Sequence, residues 1–499
     1  MSAAPAAIVS LSDAVAGVAP GSLITLGGFQ LNRAPMALLG ELVRQGRRDL
    51  RVVTPPNPLG LDLLVGAGLV SEATFGFIGF QYEDGFVVAP AVKRAIETGT
   101  LRFRERDVYE IVQGLRAAAM GLPFLPAPGG EGSDYRRVNG TATVVDPETG
   151  EAVPVAAAIR PDLLLVHAQE ADRDGNLAIA DPYAEALQAR AAGRVIATAE
   201  RLVDRVERPS IPGTLVERLA IVPEGAFPTS CHGFYPYAVE AIRKTAGGSG
   251  AAPAATAGDD RLRAADRLVT GLARAIKDGE TVATGVASAL PMLAVALARR
   301  THAPRLTYLN CVGAIDPHLD GIRPTSTDVT LLDRCRGRVD LPDLFDRAHR
   351  GGIDVMFFGA AQVDREARIN LTCIGEYARP RVKLPGPAGS PSMRSFVRRA
   401  VIAVPRHSPR SLVERVDFTT AARGARNRET LVITDRAVLR LDGDRLRVET
   451  RHAGTGAAEL ERLTGFTIDG SGPATPEPSP EEMAALRSLD PQGLRARLV

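Results

Sequence analysis

Four cysteines are the residues of this chain whose chemistry depends most on spacing. Cys231, Cys311, Cys335 and Cys373 lie far apart, with neither a Cys-x-x-Cys pair nor a histidine at ligand spacing. Such a distribution argues against a disulfide framework and against a zinc site. We therefore predict no metal, and free thiols in a reducing cytoplasm.

A glycine loop near the N-terminus is a second place where chemistry could occur. Gly27–Gly28–Phe29–Gln30 follows a predicted strand and precedes a helix led by Pro35, so its amides would lie at a helix N-terminus, where anionic groups bind. A tight strand-to-helix turn explains the same residues without a function. A nicotinamide site is not indicated, because the loop lacks the Gly-x-Gly-x-x-Gly pattern.

Two histidines also stand in suggestive positions. His167 ends a predicted buried strand, and the cleft of an open α/β fold forms at the carboxyl ends of such strands. His167 is therefore either a polar wall of that cleft or a core histidine with satisfied hydrogen bonds. His232 follows Cys231, but neighbours in sequence point in different directions, so we predict packing rather than a Cys–His dyad.

The composition indicates a protein with an aliphatic core. Its 499 residues are 45% apolar but only 5% aromatic, with no tryptophan, which favours α/β layers over an all-β sandwich. Lys and Arg number 60 against 58 Asp and Glu, so no net field attracts nucleic acid or an anionic membrane. No apolar stretch approaches the roughly 18 residues of a spanning helix, and the N-terminus lacks the basic region of a signal peptide. We expect a soluble, cytoplasmic protein.

The two halves of the chain repeat each other. Short runs of β-branched residues and leucine, followed by amphipathic stretches, predict buried parallel strands covered by helices. The matching anchors are 21–27 and 279–285, Pro35–Met36 and Pro291–Met292, Asp172–Arg173 and Asp364–Arg365, and 215–219 and 412–416. The sequence therefore predicts an α/β protein of two similar open domains in tandem, with mostly parallel sheets and a duplicated fold.

The repeat also predicts domain boundaries. We place one domain at 1–243, a Gly/Ala/Pro-rich linker at 244–260, a second domain at 261–470 and a tail with a short helix at 471–499. Between its Pro-Met and Asp-Arg anchors the first half has about 64 more residues than the second, which we place near 75–151. This insertion is either a lid or substrate wall, or a decoration without a role.

These motifs together resemble the class I CoA-transferase family, in particular glutaconate CoA-transferases with both subunits fused in one chain. The resemblance covers nearly the whole sequence. The segments that carry it are 27–29, 121–126, His167 with 172–176, 229–235, 301–304, 359–364, 374–377, 383–386 and 431–435. It implies an acyl-CoA substrate held between the two domains, with CoA as part of the substrate and no other cofactor. A homo-oligomer stays open.

The resemblance also implies roles for the glycine loops. A thioester carbonyl that becomes an oxyanion needs N–H donors about 3 Å away. The implied loop residues are Gly27, Gly28, Gln30, Gly386, Ala388 and Gly389, and the implied cleft wall contains His167, Gln362 and Asn310.

A cysteine occupies the position of the family's catalytic glutamate. Counted from Pro304, the Glu-x-Gly motif reads Cys311–Val312–Gly313. The glutamate accepts an acyl group and exchanges it for CoA, whereas attack by a thiol gives an acyl-cysteine and free CoA. Either Cys311 is a nucleophile that passes its acyl group to water or another acceptor, or it is a bystander, or the fold keeps binding without chemistry.

A branch of the same family, the steroid ring-opening CoA hydrolases, resembles this sequence in both halves and lacks the glutamate. Its members cleave a C–C bond with water, and an acidic residue just before a helix like 114–118 is implicated. Here Glu105 and Glu110 are both candidates for that general base, with a solvated surface charge as the alternative for each. The sequence thus predicts an acyl-CoA-processing enzyme of atypical mechanism, with acyl-CoA hydrolysis or non-catalytic binding as alternatives.

Overall fold

The first half of the protein is a large sheet with covering helices and a smaller added sheet. The computed structural model describes residues 6–83, 85–245 and 259–499. The strands of the first half are β1 (Ala7–Ile8), β2 (Leu23–Leu26), β3 (Leu50–Thr54), β4 (Val70–Phe75), β5 (Gly79–Tyr82), β6 (Gly85–Val88), β7 (Arg102–Glu105), β8 (Phe124–Pro126), β9 (Thr143–Val145), β10 (Ala152–Ala157), β11 (Leu163–Ala171), β12 (Leu177–Ala178), β13 (Arg194–Leu202) and β14 (Val216–Ile221). Its helices are α1 (Leu11–Val15), α2 (Met36–Arg44), α3 (Pro58–Gly66), α4 (Pro90–Glu97), α5 (Val108–Ala119), α6 (Asp134–Val138), α7 (Glu185–Ala191) and α8 (Val239–Thr245).

The second half is built in the same way. Its strands are β15 (Thr281–Thr284), β16 (Thr307–Asn310), β17 (Ala314–Ile315), β18 (Gly337–Arg338), β19 (Val355–Gly359), β20 (Gln362–Asp364), β21 (Ile369–Asn370), β22 (Cys373–Ile374), β23 (Val382–Lys383), β24 (Arg399–Val404), β25 (Leu412–Val413), β26 (Glu429–Thr434), β27 (Ala437–Asp442) and β28 (Arg445–Arg451). Its helices are α9 (Asp259–Arg274), α10 (Ala289–Arg300), α11 (Leu341–His349), α12 (Ser390–Phe396), α13 (Ala457–Leu463) and α14 (Pro480–Leu489).

The two large sheets share one strand order. In the first sheet the central strands run β14-β13-β11-β2-β3, and in the second they run β26-β24-β19-β15-β16. Every neighbouring pair within these two sets is parallel. Antiparallel pairs occur at the margins, such as β26 with β27 and β16 with β17. The structure therefore confirms the predicted duplication of a mostly parallel open α/β fold.

The strands form where the sequence is aliphatic on both faces. β11 and β24 are buried almost throughout, as expected for parallel strands that helices cover on both sides. The largest apolar cluster crosses from one half to the other, because Ile111, Val112 and Leu115 of α5 pack with residues of the second half. The two halves thus share the largest cluster, while further clusters belong to the first half alone.

The extra residues of the first half lie between β3 and β11. Between β3 and β11 the first half has β4 and β7, which extend the large sheet, the hairpin β5–β6, the helices α3 to α6 and the small sheet β8-β10-β9, whereas the second half has only β17, β18, a 3-10 turn and α11 between β16 and β19. The predicted linker 244–260 falls mostly outside the described residues, with α8 ending at Thr245 and α9 beginning at Asp259. In the predicted tail, α14 packs against α9 and α10.

Candidate active site

A cavity of about 510 Å³ lies between the two halves, a size within the range of small-molecule sites. The first half contributes residues on and beside the hairpin β5–β6, namely Phe77, Gln81, Phe86 and Val88. The second half contributes segments 285–291, 356–361 and 384–385, Leu371, 388–390, Ala403 and Pro405, together with Leu498. The insertion is therefore a wall of this cavity.

The position of the cavity follows from the topology. Gly285 comes directly after β15, Ala360 directly after β19, and Pro405 directly after β24. These three parallel strands are neighbours in the second sheet. The cavity thus occupies the edge formed by their carboxyl ends, where ligands of open α/β sheets bind.

The cavity wall is largely apolar. Among the described residues that line it, the polar side chains are those of Gln81, Ser288 and Ser390, and none is ionisable. Gln81 is 8% exposed, and its Oε1 has no hydrogen-bond partner. A buried acceptor without a partner is costly, so Gln81 is a place where a ligand N–H or O–H would be stabilised.

The second glycine loop joins the halves through backbone hydrogen bonds. The amide of Ala388 donates to Gly76 O over 2.7 Å, and its carbonyl oxygen accepts from Val108 N over 2.8 Å, whereas the amide of Gly386 donates to Leu371 O of the same half over 2.8 Å. Both residues have positive φ, 102° at Gly386 and 49° at Ala388. Within the described chain no acceptor engages the amide of Gly389, which lines the cavity. Of the three predicted donors in this loop, Gly389 has the amide that is free for a ligand.

The first glycine loop has its amides committed to the protein. Gly28 N donates to Glu185 Oε1 over 3.0 Å, Gly27 N to Leu165 O over 2.9 Å, and Gln30 N to Pro56 O over 2.8 Å. None of Gly27, Gly28 and Gln30 lines the cavity. Their assignment as oxyanion donors stays a prediction, and this geometry favours the turn that the sequence offered as the alternative.

A buried arginine holds this loop in place. Arg33 is 1% exposed, its Nε donates to Asp181 Oδ1 over 2.8 Å, and its Nη2 donates to Glu185. Arg33 Nη1 also donates to the His167 carbonyl oxygen over 2.7 Å. The two carboxylates raise the pKa of Arg33, against the opposing effect of its burial. The loop is thus built around a closed ion-pair network.

Glu105 and Lys383 form an ion pair between the halves. Lys383 Nζ donates to Glu105 Oε1 over 2.8 Å, and the side chains are 1% and 0% exposed. Burial raises the pKa of Glu105, although the charge of Lys383 acts in the opposite direction. Glu105 Oε2 has no hydrogen-bond partner. Of the two side chains in this pair, only that of Glu105 has a buried polar atom without a hydrogen-bond partner among the described residues.

Glu105 also lies directly against the second glycine loop. A Cβ at Gly386 would stand 2.8 Å from Glu105 Oε1, and the preceding residue, Pro385, lines the cavity. Because residue 386 is a glycine, no side chain at this position separates the cavity wall at Pro385 from the carboxylate of Glu105. Glu105 lies one residue layer behind the cavity.

Glu110 occupies a different environment. It forms an ion pair with Arg106 one helical turn away, and it lines a smaller pocket with Tyr135 and Arg136 rather than the main cavity. Burial raises its pKa, and Arg106 acts against that rise. Of the two acidic candidates, Glu105 is the one that contacts the loop beside the cavity.

Cys311 follows β16 and is 8% exposed. Its thiol donates to Ser326 O over 3.8 Å, and burial raises the pKa of Cys311 to about 12. A thiol with so high a pKa stays protonated at neutral pH and is a poor nucleophile. Ser326 links it to the cavity, because Ser326 Oγ donates to Gly285 O and accepts from Ser288 N. Cys311 itself is not a lining residue.

The predicted cleft wall differs from the observed one. Asn310 Nδ2 donates to Tyr308 Oη over 2.9 Å, and Gln362 Nε2 donates to Asp417 Oδ2 over 2.7 Å. His167 is fully buried, with Nδ1 2.8 Å from Thr198 Oγ1. Because these side chains are engaged within the protein, none of Asn310, Gln362 and His167 lines the cavity.

The structure brings together a cluster that spacing in the sequence did not indicate. His167 Nε2 lies 2.7 Å from Glu200 Oε1, and the Cys231 sulfur completes a group whose ligand atoms lie within 4.8 Å of one another. The hydroxyl of Tyr235 also donates to Glu200, over 2.5 Å. Burial lowers the pKa of His167. These contacts form a closed hydrogen-bond network of imidazole, carboxylate and hydroxyl.

Asp107 caps the N-terminus of α5 and links the two halves of the protein. Its environment leads to a prediction about the pH dependence of stability. Its Oδ1 accepts from Tyr109 N over 2.8 Å and its Oδ2 from Ser392 N over 2.6 Å. Burial raises the pKa of Asp107 from 3.8 to about 7. The unfolded chain has the ordinary pKa of 3.8 at this residue, so between pH 3.8 and about pH 7 it binds fewer protons than the folded protein. The free energy of unfolding therefore falls as pH rises through this window and becomes constant above it.

We expect Asp107→Asn to remove part of this fall, which is at most about 1.4 kcal/mol per pH unit for one group. The measurement is the free energy of unfolding by urea between pH 4 and pH 8. Asp146→Asn is the matched control, since hydrogen bonds lower the pKa of Asp146 from 3.8; Asp146 is therefore largely ionised in both states between pH 4 and pH 8, and its substitution is expected to leave the pH profile parallel to that of the wild type. Parallel pH profiles for Asp107→Asn and the wild type would contradict the assignment.

Two similar open α/β halves thus enclose a ligand-sized cavity at the strand ends of the second sheet. The family described as "Coenzyme A transferase" matches residues 8–221 and 266–455. The chain belongs to this family. It is therefore an enzyme of the CoA-transferase family.

Three similar proteins show the range of the family. The chain is 37% identical over 208 residues to "Cholesterol ring-cleaving hydrolase IpdA subunit" of Rhodococcus jostii, covering 40% of this chain and 69% of that one. It is 44% identical to a chain of "the decarboxylase AibA/AibB", with a TM-score of 0.45 over 48% of this chain and 99% of that one. It is 18% identical to the acyl-CoA transferase YdiF of E. coli O157:H7, solved as a thioester complex with CoA, with a TM-score of 0.72 over 97% and 95%. In the described part of the chain, no helix is both long and apolar enough to cross a membrane.

Proposed function

We propose that this enzyme binds an acyl-CoA in the cavity between its halves and cleaves a bond of the acyl group with CoA still attached. The observation that carries the proposal is the contrast between residue 311 and residue 105. The first is a buried, protonated thiol, and the second is a buried carboxylate with a raised pKa beside the cavity wall. The likeness to a ring-cleaving hydrolase subunit supports the same direction.

Transfer of CoA through residue 311 does not fit these groups. The transfer needs a carboxylate that accepts an acyl group and then exchanges it for CoA. Cys311 offers a sulfur instead, and its exchange product would be an acyl-cysteine with CoA released. The pKa of about 12 further removes the thiolate that such an attack requires.

Glu105 is the group that we assign as general base. A carboxylate is an effective base near neutral pH when burial raises its pKa toward that range. In a C–C hydrolysis, Glu105 takes a proton from water, whose oxygen adds to a ketone carbon of the acyl group. The C–C bond breaks, its electron pair goes to the carbon next to the thioester, and that carbon takes the proton from Glu105. When the ketone carbon and the carbon next to the thioester belong to one ring, the opened product gains one water and keeps CoA.

The test is to incubate the purified protein with a panel of acyl-CoAs, with and without acetate, and to follow masses and free thiol. A product that gains the mass of water, with no free thiol, supports the proposal. A product that loses the mass of carbon dioxide and retains CoA would support acyl-CoA binding and cleavage of the acyl group. It would show that the bond broken is that of a carboxyl group. New acetyl-CoA that forms only when acetate is present would show transfer, and free CoA would show thioester hydrolysis; either one contradicts the proposal.

Cys311→Ala and Cys311→Ser are expected to keep kcat/KM within about threefold of the wild type, a change under roughly 1 kcal/mol. The reason is that the protonated thiol takes no covalent part. The measurement is kcat/KM on the substrate found above, together with intact mass under turnover.

Alkylation gives a matched comparison for the same thiol. Cys335 is partly exposed whereas Cys311 is buried, so iodoacetamide is expected to modify Cys335 first. An acyl adduct on Cys311 under turnover, or rapid alkylation of Cys311, would show that the thiol is reactive and would overturn this assignment.

A further inference from the structure

The C-terminal segment 490–499 reaches the cavity between the halves. After α14, the 3-10 turn Leu494–Arg497 packs against α9. The next residue, Leu498, is one of the residues that line the cavity. It is partly buried and packs against the main apolar cluster. A residue far from the domain motifs thus supplies part of the wall.

Buried ion pairs fix this segment. Arg495 is 2% exposed, its Nε donates to Asp266 Oδ1 over 2.6 Å, and its Nη1 donates to Asp490 Oδ2 over 2.9 Å. Asp490 also accepts from the amides of Leu494 and Arg495, over 2.8 and 2.9 Å. Such a network holds the turn in one position, and breaking a buried pair is strongly unfavourable. Leu498 is therefore a fixed part of the cavity wall.

We infer that Leu498 limits the length of the acyl group that the cavity accepts. The inference rests on the proposed function, because it takes the cavity to be the acyl-CoA site. The apolar side chain of Leu498 is suited to contact the acyl chain rather than the CoA moiety. The pantetheine arm carries amides and a hydroxyl that need hydrogen-bond partners, whereas an isobutyl side chain can offer only apolar contact. Leu498 acts by filling space that a longer chain would need.

The volume of the side chain gives the expected effect. Leu498→Ala removes three carbon atoms from the wall, and each methylene of a ligand that gains a buried place contributes about 0.8 kcal/mol, or roughly fourfold in affinity. We expect acyl-CoAs longer than the wild-type limit to bind about tenfold more tightly or better to Leu498→Ala. Leu498→Phe, which enlarges the side chain, is expected to weaken binding of the longest accepted chain by about tenfold.

The experiment measures dissociation constants by calorimetry for CoA and for acetyl-, butyryl-, hexanoyl- and octanoyl-CoA. It compares the wild type, both Leu498 variants, and Leu494→Ala as the matched control, since Leu494 belongs to the same turn but does not line the cavity. Thermal midpoints of all four proteins verify folding. Opposite shifts in chain-length preference for Leu498→Ala and Leu498→Phe, with CoA and acetyl-CoA unchanged, support the inference.

Three results would overturn it. Identical chain-length profiles in the wild type and both variants would show that Leu498 does not limit the chain. Equal weakening of CoA and every acyl-CoA would place Leu498 against the CoA moiety. A wild type that binds no acyl-CoA at all would remove the proposed function, and this inference with it, and that outcome is distinct from the other two.

Discussion

Glu105→Gln is expected to lower kcat by about 10³-fold, because a positioned general base contributes roughly 10²- to 10⁴-fold. The amide keeps the shape of the side chain but cannot take a proton. CoA binding is expected to persist, since Glu105 does not line the cavity. The measurement is kcat at saturating acyl-CoA, with the dissociation constant of CoA measured beside it.

This variant also has a structural effect that must be separated from catalysis. It leaves Lys383 buried without its carboxylate, and breaking a buried pair costs roughly 3–5 kcal/mol. Replacing both members with neutral residues is often close to neutral in stability, so Glu105→Gln combined with Lys383→Met is expected to recover the thermal midpoint but not kcat. Recovery of kcat in the double variant would contradict a role for Glu105 as base.

Glu110→Gln completes the comparison, because the sequence alone did not choose between the two acids. Its carboxylate pairs with Arg106 and lies outside the main cavity. We expect a much smaller loss of kcat than for Glu105→Gln. A large loss in Glu110→Gln with an active Glu105→Gln would reverse the assignment.

Arg33→Met is expected to lower the free energy of unfolding by roughly 3–5 kcal/mol, because it leaves two buried carboxylates without their positively charged partner. Asp181 and Glu185 are 8% and 1% exposed and both bond to Arg33. Glu185 would then hold its charge with only backbone amides as partners. The measurement is chemical unfolding followed by circular dichroism.

Arg44→Met is the matched control for this effect. Arg44 also pairs with a glutamate, Glu41, but its side chain is 64% exposed, and exposed pairs contribute about 0–1 kcal/mol. Similar losses in the two variants would show that burial of the Arg33 network has no special role.

Much of the fold was predictable from local pattern. The aliphatic runs Leu50–Thr54 and Val355–Gly359 form the buried strands β3 and β19, as the pattern predicts. The repeat predicted two similar domains because each copy must bury the same faces of its strands, and the two sheets indeed share one order of central strands. Periodicity is a local property, so it survives in the sequence without knowledge of the partner surfaces.

The site was less accessible to sequence reasoning. The resemblance pointed to the loop 386–390 and to Glu105 or Glu110, but it could not show that the amides of Gly386 and Ala388 are already engaged. It named His167, Gln362 and Asn310 as cleft wall, although their side chains bond within the protein. Gln81 and Leu498 carried no motif, and only the packing of distant segments reveals that they line the cavity.

The sequence by itself determined the duplicated α/β fold and the family, and it predicts that Cys311 stands at the position of the family's catalytic glutamate. These follow from periodicity, motif order and residue identity, which are written along the chain. The tertiary structure alone decided which of two acids meets Lys383, and that the thiol of Cys311 is buried, which raises its pKa. The physical reason is that burial and charge pairing set a pKa, and both depend on residues hundreds of positions apart that only folding brings into contact.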